Sequence, residues 1–182
     1  MKTTIQTCML IASFLFFVSL TRIQAQATNA TQQGYNDAVK ANPTADQDIK
    51  VVSDYLNALV APDFDKVRSL LAPNYKGRGP GPFDSATAED VIKTWQSNDS
   101  SQTNRKIGSI PATFRVLSGD YQGNWVAMWG EYDCTINGKD LKIPFQYTAH
   151  ITNSKIDNDI TYYDRLYIFQ SLGFTLTPPK DN

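Results

Sequence analysis

Apolar residues recur at helical spacing in three segments that precede residue 102. Thr44 begins the first segment with the Thr-x-x-Gln pattern of a capping box. Its core-facing stripe consists of Ile49, Val52, Leu56, Leu59 and Val60. Pro62 begins a second, shorter helix that Pro73 ends, and Thr87 begins a third with a Thr-x-x-Asp cap. The Gly/Pro-rich stretch from Gly77 to Pro82 predicts a loop, either a connector or the rim of a pocket.

From Arg105 onwards the period of the apolar residues changes to two, which is typical of strands. The predicted strands lie near Arg105–Leu117, Asn124–Ile136, Lys139–Thr152 and Ile156–Asp164. Asn137-Gly138 predicts a two-residue hairpin turn, and Asn153-Ser154 marks a second turn. A short helix near Tyr167–Leu172 closes the pattern. Helices followed by a strand meander predict an α+β fold, with helices packed on one face of a curved antiparallel sheet.

The first 25 residues have the composition of a cleavable signal peptide. Lys2 supplies a positive start, and the apolar run from Met9 to Leu20 is shorter than the roughly 20 residues that cross a bilayer. We expect cleavage after Ala25, with cleavage after Ala27 as the alternative. Export to the periplasm or the exterior is therefore the predicted localisation. The other interpretation of this run is a membrane anchor that stays on the protein.

The rest of the chain has the length of one domain. Residues 26–43 are rich in Ala, Thr, Gln and Asn without an apolar period, which predicts a flexible leader. Residues 44–177 form the predicted α+β domain, and 178–182 form a tail. After cleavage only Cys134 remains, so no disulfide can form within the chain, and a buried strand position is its expected place.

The charge balance argues against nucleic acid and against an anionic membrane surface as partners. The chain has 17 basic and 18 acidic residues, and no block of Lys or Arg stands out. One histidine and one remaining cysteine cannot assemble a common zinc site, which leaves open only a site made of carboxylates. We therefore expect a small apolar molecule as the partner and no cofactor.

Pairing across Asn137-Gly138 sorts the strand residues into two faces, because opposed residues share a face. The apolar face carries Met128, Gly130, Tyr132, Ile143, Phe145, Tyr147 and Ala149. The other face carries Trp125, Trp129, Glu131, Gln146, Thr148 and His150. The apolar face is predicted to meet the helices.

The last strand can join this sheet in two registers. If Asn153-Ser154 is a two-residue turn, the apolar face gains Ile156, Ile160, Tyr162 and Asp164. A slip of one residue would instead place Asp164 on the face of His150. The first register is favoured because the apolar alternation then agrees across three strands.

Asp164 is the candidate for acid/base chemistry. Burial on the apolar face would raise its pKa above the usual range, since desolvation disfavours the charged carboxylate. Such a shift suits a general base that removes a proton next to a carbonyl group. Alternatively, Asp164 caps the closing helix through backbone N–H groups or pairs with Arg165 or Arg105.

The order of elements and several stretches resemble the nuclear transport factor 2-like superfamily, within it the SnoaL-like polyketide cyclases and the ketosteroid isomerases. The stretches are Asp54-Tyr55-Leu56, Leu70-Leu71-Ala72-Pro73-Asn74-Tyr75, Ser154-Lys155-Ile156, Tyr163-Asp164 and Gln170-Ser171-Leu172-Gly173. The resemblance covers about residues 45 to 175 and implies a cone-shaped fold. It also implies that Asp164 occupies the position of the acid/base residue of the cyclases. No equivalent of the base of the isomerases, or of their Tyr–Asp oxyanion pair, is apparent in this sequence.

Other residues complete the predicted site. Tyr162, Tyr147, Phe145 and Met128 would shape the pocket from the sheet, while Trp95 and Tyr55 on helices either line it or pack in the core. His150 is either a second catalytic group or a surface residue near a hairpin end.

Two functions remain open. The first is a cofactor-free isomerase, cyclase or lyase that acts on a small apolar carbonyl compound, with Asp164 as its base. The second is a non-catalytic module that holds an apolar ligand or dimerises through its sheet. Trp125 and Trp129 would then stack a ligand or, as we expect, form a homodimer interface, where aromatic residues concentrate.

Overall fold

The computed structural model describes residues 34–177. The predicted signal peptide (1–25), the first part of the leader (26–33) and the tail (178–182) lie outside these residues. The chain divides into two compact units, the first ending at Lys40 and the second beginning at Ala41. The first contributes a helix at 34–38 and the short strand Val39–Lys40, so this part of the predicted leader has regular secondary structure. No helix within the described range is both long enough and apolar enough to span a membrane.

The described part of the second unit, residues 41–177, contains four helices. They are α1 (Ala45–Val60), α2 (Phe64–Leu70), α3 (Ala88–Ser101) and α4 (Arg165–Ser171). The predicted capping box of α3 is confirmed, because Thr87 and Asp90 exchange hydrogen bonds. The capping box of α1 is wrong: the Thr44 side chain does not bond to the helix backbone but donates to the buried Asp48 carboxylate at 2.7 Å. The Thr44 hydroxyl oxygen accepts instead from the Asn124 side-chain amide at 2.8 Å.

The second unit also contains six strands. They are β1 (Leu71–Arg78), β2 (Ser85–Ala86), β3 (Gln102–Val116), β4 (Gly123–Ile136), β5 (Lys139–Thr152) and β6 (Lys155–Tyr163). Their order in the sheet is β3-β4-β5-β6-β1-β2. Neighbouring strands run antiparallel except β6 and β1, which are parallel. The sequence analysis missed β1, which contains Pro73 and enters the predicted Gly77–Pro82 loop, because β1 is held by pairing with the distant β6.

The β4–β5 hairpin confirms the two predicted faces. Asn137 and Gly138 form its turn, both with positive φ, and β4 and β5 pair without a shift from there on. Met128 lies opposite Tyr147 on what we call the inner face, and Trp129 lies opposite Gln146 on the outer face. The helices cover the inner face, as predicted.

The β5–β6 pairing differs from the favoured register. Ile156 lies opposite Ile151, as expected from the two-residue turn, but Asn158 lies opposite His150. Asp157 is therefore an extra residue, a β-bulge, and every later residue of β6 changes face. The inner face receives Asp159, whereas Ile160 and Tyr162 belong to the outer face.

Two clusters of buried side chains cover the inner face. The larger cluster joins α1, α2 and α3 to the sheet around Val52, Tyr55, Met128, Tyr147 and Ile156. The smaller cluster consists of Cys134, Leu141 and Ile143, with Ile168 and Leu172 of the α4 region packed on it. Along β5, the half-buried Phe145 lies between the two clusters, so this part of the inner face is covered less completely.

Candidate functional site

A buried carboxylate lies on the inner face where β6 meets β1 and β5. The Asp159 side chain accepts hydrogen bonds from the Tyr75 hydroxyl at 2.6 Å and from the Tyr147 hydroxyl at 2.8 Å. The backbone N–H of Arg78 donates to the same carboxylate. Only 3% of Asp159 is exposed. These contacts define what we call the Asp159 cluster: Asp159, Tyr75, Tyr147 and the adjoining Tyr55.

Tyr55 joins the cluster from α1. Its ring stacks on that of Tyr147 with a centroid distance of 5.8 Å, and its hydroxyl interacts with those of Tyr75 and Tyr147. Burial raises the pKa of all three tyrosines, and the Asp159 charge adds to the effect. The phenols therefore remain protonated and act as hydrogen-bond donors.

Burial also raises the pKa of Asp159, to about 6, because the desolvated carboxylate is disfavoured. The hydrogen bonds from Tyr75 and Tyr147, the backbone N–H of Arg78 and its guanidinium charge oppose this shift. A carboxyl group with this pKa exchanges a proton near neutral pH, which is the property expected of a general acid or base.

The local sequence explains how the cluster is built. Strand alternation directs Tyr75 and Gly77 of β1 to the same side, and Ala149 lies opposite Asp159 on β5. A Cβ atom on Gly77 would lie 2.6 Å from the Tyr75 hydroxyl and 3.3 Å from the Asp159 carboxylate. Glycine at position 77 therefore leaves the room in which Tyr75 reaches Asp159.

Half-buried aromatic residues extend the inner face from this cluster towards α4. Phe145 lies two residues before Tyr147 on β5, and Tyr132 of β4 lies opposite Ile143, two residues before Phe145. Trp95 of α3 meets Tyr132 edge-on at a centroid distance of 5.6 Å. Phe145 and Trp95 thus keep their predicted places on the helix-covered face, Phe145 two residues from Tyr147 and Trp95 against Tyr132.

Asp164 does not lie on the inner face. It is exposed, and its carboxylate accepts a hydrogen bond from the backbone N–H of Tyr167 at 2.9 Å as the N-cap of α4. The prediction that Asp164 is buried among apolar residues is wrong, because the bulge at Asp157 shifts the register before it. The capping alternative is the one that the structure shows.

His150 lies on the outer face, away from the Asp159 cluster. Its Nδ1 is 2.6 Å from an Asp157 carboxylate oxygen and its Nε2 is 3.2 Å from the Gln122 carbonyl. His150 therefore holds the bulge and the turn before β4 in place. His150 therefore does not contact the candidate site. It is half-buried, so it is not a fully exposed surface residue either.

Three further predicted residues have environments other than a pocket wall. Tyr162 is 54% exposed on the outer face, opposite Gln146, so its predicted position is wrong for the same reason as that of Asp164. Met128 is fully buried and packs within the larger core cluster. Tyr55 is also buried, but it forms part of the Asp159 cluster.

The outer face shows two different tryptophans. Trp125 is buried, because His150 lies 5.0 Å from its ring and its Nε1 donates to the Tyr121 carbonyl at 2.7 Å. Trp129 is 47% exposed. Of the two, only Trp129 presents its ring to solvent. Among the residues from 34 to 177, no group of three His, Cys, Asp or Glu side chains is arranged to hold a metal ion.

Sequence reasoning missed Asp159 and Tyr75. Asp159 falls in a polar stretch, Asp157-Asn158-Asp159, where parity alone does not show which residue faces inwards. Three consecutive polar residues within a strand pattern were nevertheless a sign of a bulge. Tyr75 was hidden because its strand was not predicted.

No protein-family model and no curated protein sequence matches the chain. Solved structures do match. An LEH-like epoxide hydrolase of M. tuberculosis is 17% identical with a TM-score of 0.55, over 71% of this chain and 92% of that protein.

Two further structures agree. An NTF2-like protein from Burkholderia xenovorans is 14% identical with a TM-score of 0.54, over 71% of this chain and 98% of that one. A candidate SnoaL-like polyketide cyclase from Shewanella denitrificans is 12% identical with a TM-score of 0.56, over 72% and 98%. These identities establish an architecture and leave the chemistry to the site itself. The chain has the nuclear transport factor 2-like fold, as the resemblance implied.

Proposed function

We propose that the inner face binds a small apolar molecule and that the Asp159 carboxylate, rather than Asp164, exchanges a proton with it. The observation that carries this proposal is the buried Asp159 carboxylate, held by Tyr75 and Tyr147 with a pKa raised to about 6. The proposed reaction class is proton transfer next to a carbonyl group, as in an isomerase, cyclase or lyase.

The cluster supplies both groups that this chemistry requires. The C–H bond next to the carbonyl breaks, its proton moves to Asp159, and its electron pair moves onto the carbonyl oxygen. Once Asp159 is protonated, the Tyr75 and Tyr147 hydroxyls are no longer needed by a carboxylate and can donate to the new oxyanion. Base and oxyanion donors are then neighbours, as proton abstraction requires.

The order of residues on the inner face indicates the side of approach. Asp159 lies opposite Ala149, Thr161 opposite Tyr147, and Tyr163 opposite Phe145. Exposure increases along this row from Asp159 towards Tyr163. A ligand would therefore lie over Phe145 and Tyr163 and reach the cluster at Tyr147.

A second function has its own support. The Asp159 carboxylate is almost fully enclosed, and its hydrogen-bond partners come from the protein itself. Such a network also stabilises a core without reacting. The chain would then hold an apolar molecule over Phe145 without transferring a proton.

Solvent deuterium exchange separates the two functions. Acetylnaphthalene has exchangeable methyl protons next to its carbonyl group, and NMR in D₂O measures their replacement. We expect catalysed exchange by the protein and a loss of about 100-fold or more in Asp159→Asn, which is the usual contribution of a general base. The rate should rise up to about pH 6 and then level off, because only ionised Asp159 accepts a proton.

Asp164→Asn is the matched control, because it replaces the exposed cap with the same isostere. Its exchange rate should equal that of the parent chain. Binding of acetylnaphthalene without exchange would support the holding function. Loss of exchange in Asp164→Asn, with Asp159→Asn still active, would show that Asp164 is the base, as the sequence analysis predicted.

We further propose that the chain forms a homodimer through the outer face. Trp129 lies opposite Ile110, which is 73% exposed, and opposite Gln146, which in turn pairs with the exposed Tyr162. This row crosses four strands and is apolar or aromatic except at Gln146, whereas the buried Trp125 contributes nothing to it. Light scattering should give a dimeric mass for the parent chain and a monomeric mass for Trp129→Glu. A monomeric parent chain at micromolar concentration would contradict the proposal.

Export is proposed on the sequence of residues 1–25 alone. Mass spectrometry of protein recovered from the native host should find Gln26 or Thr28 at the N-terminus. Recovery of a chain that keeps Met1 would overturn it.

A further inference from the structure

A second unusual group lies at the other end of the inner face, where β3 begins. Thr103 lies opposite Thr135 and Lys106 opposite Asp133, so Asn104 and Arg105 together face one residue of β4. Asn104 has a positive φ and donates to the Thr135 hydroxyl, which belongs to the outer face. This bulge directs the Arg105 side chain towards Tyr132 on the inner face.

Arg105 is a buried cation with an unused donor. Its side chain is 7% exposed, and its Nη2 bonds to the Asp99 carboxylate in the last turn of α3. Its Nη1 is buried and has no hydrogen-bond partner among the described residues. A buried donor of a charged group that lacks an acceptor costs free energy, so an acceptor is expected at this point.

The neighbours of Arg105 are aromatic or already engaged. The guanidinium donates a hydrogen bond to the Tyr132 hydroxyl oxygen, and its charge lowers the pKa of the Cys134 thiol against the effect of burial; both residues belong to the inner face of β4. The Tyr132 hydroxyl donates a hydrogen bond to the Gln102 side-chain oxygen at 2.6 Å, and Trp95 packs edge-on against the Tyr132 ring. The Tyr132 and Trp95 rings near the guanidinium offer flat apolar surfaces that suit an aromatic or polycyclic ligand.

We propose that Nη1 of Arg105 donates a hydrogen bond to an uncharged oxygen of the ligand, such as a ketone or ester oxygen. Asp99 already balances the guanidinium charge, so a ligand carboxylate would add an uncompensated buried charge. A neutral acceptor supplies the missing hydrogen bond without that cost. The inference rests on the proposed function, because the ligand lies on the same inner face.

Strand geometry gives the length of this ligand. Met128 lies opposite Tyr147 of the Asp159 cluster, and Tyr132 beside Arg105 is four residues further along β4. Four residues span about 13 Å at the strand rise. Arg105 therefore contacts an oxygen at the far end of the molecule, about 13 Å from the group that meets Tyr147.

Three matched probes test this subsite. Each is a 4-acetylbiphenyl with one substituent at the 4′ position, which brings its two ends close to the required separation: a methyl ester, an ethyl group or a carboxylate. Calorimetry on the parent chain should show the ester binding about 10- to 100-fold more tightly than the ethyl compound, the usual range for a hydrogen bond to a charged group. Arg105→Met should lose this preference, while Lys106→Met on the outer face should keep it.

Asp99→Asn provides a variant that leaves Arg105 in place. Its guanidinium has no balancing charge, so the carboxylate probe should bind about ten-fold more tightly than to the parent chain. The result that overturns the inference is an ester that binds no better than the ethyl compound to the parent chain, or an unchanged preference in folded Arg105→Met. If Arg105→Met does not fold, an unchanged carboxylate affinity in Asp99→Asn overturns it instead.

Failure of the proposed function has a different signature. If Asp159→Asn loses acetyl-group exchange but keeps the preference for the ester, both proposals stand, and the two ends of the site act independently. An ester preference without any catalysed exchange removes the acid/base proposal and keeps the subsite. A parent chain that binds none of the three probes overturns both.

Discussion

Two aspartates near the end of β6 have opposite environments, although only four residues separate them. Asp159 is enclosed by Tyr75 and Tyr147 and has a pKa raised to about 6, whereas Asp164 is exposed and caps α4. The difference originates before either residue, at the bulge formed by Asp157. One extra residue in a strand decides which carboxylate is desolvated, and desolvation decides which of them can act as a base near neutral pH.

The largest expected effect is a pH-dependent difference in stability. Burial raises the pKa of Asp159 in the folded chain above its ordinary value of 3.8, so the folded chain binds the proton more tightly than the unfolded chain does. The contribution of Asp159 to the free energy of unfolding therefore falls as pH rises from about 4 to about 6 and is constant above that. Relative to Asp159→Asn, the parent chain should lose about 3 kcal/mol of unfolding free energy over this range. Urea denaturation at several pH values measures it, and a difference that does not depend on pH would contradict the burial of Asp159.

A smaller effect is expected from removal of one donor. Tyr147→Phe deletes a hydrogen bond that favours the Asp159 carboxylate, so the pKa of Asp159 should rise further. The midpoint of the exchange profile should move upwards by about one pH unit, which corresponds to about 1.4 kcal/mol. Tyr162→Phe on the outer face is the control and should leave the midpoint at about pH 6. A downward shift in Tyr147→Phe would show that the hydroxyl does not stabilise the carboxylate.

The smallest effect is expected at Asp164. Asp164→Ala removes the acceptor for the Tyr167 N–H and should lower the unfolding free energy by about 1 kcal/mol, the usual cost of losing a cap. Asp63→Ala is matched to it, because Asp63 caps α2 through the Lys66 N–H at 3.0 Å. Similar losses at the two positions in chemical denaturation would support a purely capping role. A loss of activity with Asp164→Ala would contradict a purely capping role.

Local patterns predicted most of the fold. The stripe behind Thr44, the cap at Thr87 and the Asn137-Gly138 turn act over a few residues, and the structure has α1, α3 and the β4–β5 hairpin in those places. Such signals arise from helical period, capping and positive φ, all of which depend on neighbouring residues.

The site depends on pairings that are distant in the sequence. Tyr75 reaches Asp159 only because β1 pairs with β6, and Asp159 faces inwards only because of the bulge. The sequence predicted that Asp164 is buried at the end of an apolar row, whereas Asp164 is exposed and Asp159 is the buried aspartate. Arg105 was noted only as a partner for Asp164, since a missing hydrogen-bond acceptor becomes visible only in three dimensions.

The missing side chain at Gly77 has an evolutionary consequence. A methyl group there would collide with the Tyr75 hydroxyl and crowd the Asp159 carboxylate, so these positions cannot change independently. In homologous sequences a residue larger than glycine at this position should coincide with the loss of tyrosine two residues earlier. Joint variation of this Tyr-x-Gly pair with an aspartate in the last strand would be a fingerprint for recognising the same hydrogen-bonded cluster in distant relatives.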